Sequence, residues 1–185
     1  MDITIQERIC SFFSEYDIST PNAKYYAKKS FFSINNINDK MQLRAEDGRV
    51  LARIRGYFSF FRKRHDFILS DGRTYRFRCE QIWKQVFTCE RNGESYRLYE
   101  HRNYKYSIFR GDNQIAAFVK NRIVFGKGNR YEIRMDSDAD LIVILCLVLT
   151  INTSENDDTN TQNSVTFEFS IGPQARKFDE TWEPR

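Results

Sequence analysis

LIVILCLVLTI, residues 141–151, is the stretch of sequence that decides the fold. Its first nine residues are all apolar, about half the length of roughly 20 that a membrane-spanning helix needs. Asp138 and Asp140 lie just before it, where carboxylates stabilise the positive end of a helix, and Ser137 or Asp138 is placed to cap it. A helix over 138–152 would be apolar on every side, so in a soluble chain protein must surround it. The sequence therefore predicts a central, buried α-helix.

A chain of 185 residues is long enough for one domain with a substantial core. The net charge of +4 and the pI near 8.9 are only mildly basic, too weak alone to indicate nucleic-acid binding. Sixteen Phe and ten Tyr, against eight Gly and three Pro, favour strands over disorder. The N-terminal MDITIQER lacks the order of a signal peptide, so we expect a cytoplasmic protein.

Apolar and basic residues alternate along much of the chain between residues 24 and 136. In 49–58 apolar or small side chains alternate with arginines, and 73–82 repeats this pattern. A period of two describes a sheet with one buried face and one wet face. Asp-Gly and Asn-Gly pairs tolerate the positive φ that two-residue hairpins require. Tight turns are predicted at Asp47-Gly48, Asp71-Gly72, Asn92-Gly93 and Asp112-Asn113.

These signals predict an up-and-down meander of about ten strands that closes around the helix. A helix of about fourteen residues spans about 21 Å, and tilted strands of about eight residues stand about 20 Å tall. A barrel that holds a helix needs about eleven strands or more, so further strands are expected from residues 2–13 or from the tail. Residues 1–23 fit a helix or an extra strand equally well. The ten predicted strands are 24–33, 40–46, 49–58, 65–70, 73–82, 85–91, 94–101, 104–111, 114–125 and 130–136.

The sequence after the helix departs from the meander. Residues 153–164 are polar and of low complexity, which predicts a linker. In 165–171 Val, Phe and Ile alternate with Thr, Glu and Ser, which predicts an extra strand. That strand can join the barrel edge, a protein partner or a second copy of the chain. Pro173 ends it, and a loose tail to residue 185 is expected.

The chain resembles a known family at both ends of the meander. KSFF lies near its start, and GNRYEIRMDSDADLIVILCLVLTIN joins its last strand to the apolar helix. On these residues, 24–152 resembles the LURP-one-related proteins of the tubby C-terminal-like superfamily, which includes the phospholipid scramblases. The resemblance implies a closed barrel of about a dozen strands around a buried helix. Tubby relatives bind phosphoinositide head groups and scramblases act at membranes, so it also implies a lipid-related role.

Charge is distributed unevenly between the two ends of the predicted meander. The hairpin tips at one end carry Asp and Glu, whereas the reversals at the other carry Lys and Arg among aromatic residues. Each cation near an anionic bilayer contributes about 1 kcal/mol, and aromatic rings sit at head-group level. The commoner explanation is that Asp forms turns while Lys and Arg solvate loops. The candidate lipid-binding residues are Phe60, Phe61, Arg62, Lys63, Arg64, Trp83, Lys84, Arg102, Lys105 and Lys127.

Arginines on neighbouring strands give a second possible anion-binding surface. An outward stripe of arginine can bind the phosphates of a lipid or a nucleic acid. Ion pairing with Glu80, Glu90 or Glu100 on neighbouring strands is the favoured explanation. The four arginines of the predicted stripe are Arg53, Arg55, Arg76 and Arg78.

The sequence offers little for catalysis. Cys79 and Cys89 lie symmetrically about Lys84 and so can be directly opposite each other on paired strands, where two buried thiols in a reducing compartment are favoured over a strained cross-strand disulfide. His65 and His101 have no metal-type neighbours, and no phosphate-binding glycine loop or nucleophile elbow is present. We therefore expect no catalytic residue, metal or cofactor.

The sequence thus predicts a non-catalytic domain that binds phosphoinositide or another anionic lipid through its basic and aromatic end, peripherally at a membrane. The alternative is a protein-interaction or scaffold domain without a lipid ligand, in which 165–171 pairs with a partner or with a second copy. Nucleic acid is the least favoured partner.

Overall fold

The structure is a computed structural model that describes residues 1–10, 13–29, 39–57, 64–81, 86–121, 128–159 and 175–185. Within these residues, twelve strands form one closed antiparallel barrel, and α1 (Leu141–Thr159) is the one α-helix. The predicted fold class is confirmed. The strands are β1 (Asp2–Cys10), β2 (Phe13–Ser19), β3 (Lys24–Lys29), β4 (Asp39–Ala45), β5 (Val50–Tyr57), β6 (Arg64–Leu69), β7 (Thr74–Gln81), β8 (Val86–Arg91), β9 (Glu94–His101), β10 (Lys105–Arg110), β11 (Asn113–Asn121) and β12 (Arg130–Met135).

Each strand pairs antiparallel with its neighbours in sequence, and β1 pairs with β12 to close the cylinder. The ten strands of the predicted meander correspond to β3–β12. The two that complete the barrel, β1 and β2, come from the N-terminal residues for which helix and strand were equally open. They are strands because Ile3 and Ile5 face the core while Thr4 between them does not, an alternation that a helix cannot satisfy.

The apolar segment of α1 is the centre of the core, as predicted. Every residue from Val143 to Leu149 is at most 1% exposed. The residues around it are inward-facing side chains from the strands, many of them aromatic, in a single hydrophobic cluster. A helix without a polar face is thereby removed from water on all sides.

The helix begins at Leu141, three residues later than predicted. Asp140 Oδ1 accepts hydrogen bonds from the backbone N–H groups of Ile142 (3.0 Å) and Val143 (3.3 Å), so Asp140 is the N-cap. The prediction of a cap at Ser137 or Asp138 is wrong, because the Asp138 carboxylate forms an ion pair with β10 instead.

The helix also continues to Thr159, seven residues beyond its predicted end at 152. The predicted linker 153–164 therefore begins within α1, and its remainder lies outside the described residues, together with the predicted strand 165–171. Inward-facing residues at the barrel end away from Asp140 are polar and buried. They are Glu7, Lys29, His65 and Lys120.

The hairpin tips follow the predicted turn dipeptides with one exception. Gly48, Gly72 and Gly93 have φ between 83° and 87°, a conformation open to glycine at little cost. At the fourth tip Arg110 pairs with Asn113, so the two-residue loop is Gly111-Asp112 rather than the predicted Asp112-Asn113. Gly111, with φ of 60°, supplies the positive φ that this turn requires.

The predicted pairing of Cys79 with Cys89 is wrong. Cys89 pairs with Phe77 and Cys79 with Phe87, two positions from the predicted register, and the irregularity between Cys79 and Gln81 contributes one of these positions. Both thiols are free, and burial raises the pKa of Cys89 well above its ordinary value. The thiol of Cys89 is therefore protonated and unreactive at neutral pH.

Candidate anion-binding surface

The structure describes three of the ten predicted lipid-binding residues: Arg64, Arg102 and Lys105. Arg64 begins β6, whereas Arg102 and Lys105 lie at the reversal between β9 and β10. All three lie at the barrel end away from the start of α1. The other seven lie outside the described residues: Phe60, Phe61, Arg62, Lys63, Trp83, Lys84 and Lys127.

The three described cations have different surroundings and do not form one cluster. The guanidinium carbon of Arg64 lies 5.1 Å from the ring centroid of Tyr57. Arg102 is exposed. The Nζ of Lys105 lies 2.5 Å from a carboxylate oxygen of Glu180, so the C-terminal segment compensates its charge.

Arginines cover the outer face of three adjacent strands, a surface that we call the arginine wall. Cα pairing places Arg55 and Arg76 on either side of Asp66, and Arg64 directly opposite Arg78. Neighbouring strands lie about 4.8 Å apart, so guanidinium groups from three strands can contact one ligand. The arginine wall consists of Arg53, Arg55, Arg64, Arg76 and Arg78.

Carboxylates compensate part of this charge, as the ion-pairing explanation predicts. Arg78 donates to Glu90 at 3.0 Å, and the Nε of Arg64 lies 3.7 Å from Asp66. Glu80 on β7 is exposed beside them. Among the described outward positions of β5–β8, five arginines thus accompany three carboxylates, so the arginine wall keeps a positive balance.

The wall on the other side of the barrel has a different character. The outward positions on β12 and β1–β3 hold lysines and arginines and nearly as many carboxylates. Several of these opposite charges form ion pairs on the barrel surface. Exposed pairs of this kind contribute little to stability and leave little net field. The pairs are Arg8–Asp17 (2.8 Å), Lys28–Glu15 (3.3 Å) and Arg130–Glu132 (3.2 Å).

A groove of about 350 Å³ opens beside Arg76 and Arg78 on the arginine wall. Its lining has as many carboxylates as arginines: Asp66, Glu90 and Glu94 against Arg76, Arg78 and Arg91, with the hydroxyl groups of Thr74 and Ser95. Guanidinium and hydroxyl donors match the oxygens of a phosphate, and arginine can bind two of them at once. The groove is therefore polar and unsuited to an apolar ligand.

A second charged network joins the start of α1 to the barrel, and sequence analysis did not identify it. Arg73 donates to the Asp140 carboxylate at 2.6 Å, which raises the pKa of Arg73. Glu94 accepts hydrogen bonds from Tyr75 (2.8 Å) and Tyr96 (2.6 Å). These groups come from separate strands, so only the register of the folded sheet brings them together. Because they bind one another, they anchor the helix rather than form a ligand site.

Neither histidine is placed for catalysis. His65 faces the barrel interior, 6.1 Å from Phe77 between ring centroids. The Nε2 of His101 lies 2.7 Å from Ser107 Oγ, the distance expected of a base and its nucleophile. The other ring nitrogen is bound to the carbonyl of Arg176, however, and Ser107 and His101 are 2% and 5% exposed. A substrate therefore has no access to this pair while the C-terminal segment covers it.

The described residues were also compared with the requirements of metal sites and membrane spans. No three His, Cys, Asp or Glu side chains among them are grouped to hold a metal ion. No helix among them combines the length and the apolar character needed to cross a bilayer.

Sequence comparison gives the family of the chain. The model of the LURP-one-related family matches residues 1–152, which extends the resemblance over 24–152 to the two strands that close the barrel. Curated proteins and solved structures gave no match. A twelve-stranded barrel around one helix agrees with the tubby-like superfamily, and family and fold both fit a non-catalytic domain. The chain belongs to the LURP-one-related family.

Proposed function

We propose that the barrel is a non-catalytic domain that binds the anionic head groups of membrane lipids, phosphoinositides included, peripherally on the cytoplasmic side. The arginine wall is the observation that carries this proposal. It holds five guanidinium groups on three adjacent strands, next to a polar groove of head-group size. Guanidinium groups are the preferred protein ligands of phosphate, because their planar donors match two of its oxygens.

The chain connectivity links the arginine wall to the predicted basic and aromatic residues. Phe60, Phe61, Arg62 and Lys63 belong to the connection between β5 and β6, two strands of the wall. Trp83 belongs to the connection that follows β7, the third strand. The two sets are therefore consecutive in sequence, and cations next to aromatic residues are a combination that suits the head-group region of a bilayer.

Co-sedimentation with liposomes tests the arginine wall. The variant Arg53→Glu/Arg76→Glu reverses two of its charges, and we expect at least a tenfold loss of binding to phosphatidylcholine vesicles that contain phosphatidylserine and phosphatidylinositol bisphosphate. Wild-type binding should weaken between about 50 and 300 mM salt because exposed charges are screened. Vesicles of phosphatidylcholine alone should not bind.

The matched control changes the same net charge on the opposite wall. Lys24→Glu/Arg134→Glu also replaces two exposed cations, on β3 and β12. We expect this variant to bind anionic vesicles nearly as well as wild type. Equal losses in both variants would mean that net charge alone attracts the protein to the bilayer, and the arginine wall would not be a site.

The connection between β5 and β6 is tested by a separate variant. Replacing Arg62, Lys63 and Arg64 with Glu should weaken binding to the same vesicles strongly, since each cation near the bilayer contributes about 1 kcal/mol. Unchanged binding would remove the basic and aromatic end from the proposal and, because Arg64 also belongs to the arginine wall, would count against that surface as well.

A further inference from the structure

The C-terminal segment 175–185 lies beyond the residues that the family model matches, and it binds the outside of the barrel. We call it the C-terminal strap. Arg176, Phe178 and Glu180 contact β9 and β10, and Lys177 between them has no contact with these strands in the described structure. Alternate side chains that face one surface are the mark of an extended peptide bound to a sheet.

The first two contacts are with aromatic rings. The guanidinium carbon of Arg176 lies 3.9 Å from the ring centroid of Phe109, within the range of a cation–π contact. The ring of Phe178 packs edge-on against His101, with 5.1 Å between their centroids. With the strap in place, Phe109 and His101 are only 4% and 5% exposed. The outer face of β9 and β10 therefore offers one position for a cation and another for an aromatic ring.

The third contact is between opposite charges. The carboxylate of Glu180 lies 2.5 Å from the Nζ of Lys105, and the same Nζ lies 5.2 Å from the ring centroid of Phe178. The strap thus places a basic, an aromatic and an acidic side chain at every second position. Each of the three has a complementary partner on β9 or β10.

Three backbone contacts, at the two ends of the strap, fix its register. The carbonyl of Arg176 can only accept, so the Nδ1–H of His101 donates to it at 3.1 Å. At the other end, the N–H of Arg185 donates to Asp136 Oδ1 at 2.7 Å, and its carbonyl accepts from the N–H of Ser137 at 2.9 Å. Backbone contacts recognise any extended chain, so the side chains between them carry the specificity.

We propose that the outer face of β9 and β10 is a peptide-recognition surface for an extended segment of the pattern Arg-x-Phe-x-Glu, presented by a partner protein, and that the strap occupies this surface in cis. A segment tethered beside its site has an effective concentration in the millimolar range. A partner segment must therefore displace the strap, which makes the strap a built-in competitor.

Binding of a labelled peptide tests this proposal with the full chain. The peptide ARKFDETWEPR, residues 175–185, is titrated against wild type and against the variant Arg176→Ala/Phe178→Ala, with fluorescence anisotropy as the readout. We expect the variant to bind the peptide at least tenfold more tightly than wild type, because its own strap no longer competes. A peptide with the same two alanines should bind neither protein.

Two controls separate recognition from general effects. Lys177→Ala changes an exposed strap residue without a contact to β9 or β10 in the described structure, and this variant should bind the peptide as wild type does. Adding Lys105→Glu to the alanine variant should lower its affinity for the wild-type peptide. The Glu180→Lys change in the peptide should then restore at least half of the lost affinity. Such a reversal can arise only if the two residues meet.

Several results would overturn the proposal. Equal affinity of wild type and the alanine variant would show that the strap does not cover the surface. Absence of binding to a correctly folded alanine variant, up to about 1 mM peptide, would show that there is no recognition surface. Should a dimer form in wild type at high concentration and disappear in the alanine variant, the occupying segment would come from a second copy rather than from another protein.

Discussion

The carboxylate of Asp140 has two structural roles: it caps α1 and it pairs with Arg73. Its Oδ1 accepts from the backbone N–H groups of Ile142 and Val143, and its Oδ2 accepts from Arg73 at 2.6 Å. The sequence showed several carboxylates before the helix but could not decide which of them caps it, because the partner lies 67 residues away on another strand. The choice of Asp140 over Asp138 depends on the folded position of that arginine.

Replacement of Asp140 by Ala should destabilise the protein by about 1 to 3 kcal/mol. Loss of an N-cap costs about 1 kcal/mol, and Arg73 also loses one of its two carboxylate partners, keeping only Asp71 at 2.6 Å. The control Asp138→Ala removes only an exposed ion pair and should cost less than about 1 kcal/mol. Urea unfolding at pH 7 gives both values. A larger effect at Asp138 would contradict the assignment of the cap.

His101 should make stability depend on pH. Burial lowers the pKa of His101 below its ordinary value, so the folded protein binds a proton at this ring less readily than the unfolded chain does. The neutral ring contributes to the free energy of unfolding above about pH 6.5. This contribution is lost as the pH falls through the folded-state pKa of His101. Between pH 7.5 and 5.5, thermal unfolding should show a larger loss of stability for wild type than for His101→Gln. Parallel curves would rule out this role.

Among the secondary-structure elements, the strands and hairpin turns that depend on neighbouring residues were predicted well from the sequence. The alternation in β5 and β7 and the glycines at three hairpin tips indicated strands and turns in their observed places. The N-terminal residues remained ambiguous because their apolar residues fit both periods, and only pairing with β12, more than a hundred residues later, decides for strand. The C-terminal strap was missed for the same reason, since its partners lie on β9 and β10.

The closing strand gives a direct test of the barrel. Ile5 is 0% exposed and faces the core from β1, so Ile5→Ala should cost about 2 to 4 kcal/mol through lost burial and the cavity that remains. Thr4 is its neighbour on the outward face, and Thr4→Ala should cost less than about 1 kcal/mol. Chemical denaturation measures both. Similar small effects would mean that β1 does not seal the barrel.

The whole molecule should unfold as one unit. The helix is the centre of the core cluster and the barrel has no free edge in the described structure, so neither can be lost while the other persists. We expect far-UV circular dichroism and near-UV signals from the aromatic residues to report a single, coincident transition in urea. Two separated transitions would show that helix and barrel are independent.

The pairing of β1 with β12 also has a consequence for biosynthesis. β1 is synthesised before the other strands of the barrel, and its partner β12 begins only at Arg130. Synthesis of the residues between them takes roughly 6 to 26 seconds at ordinary rates of translation. The apolar helix is synthesised later still. Throughout this interval the nascent sheet therefore has an unpaired edge strand and an exposed apolar face. The newborn chain is therefore a natural client for chaperones until the last turn of the apolar segment has been made.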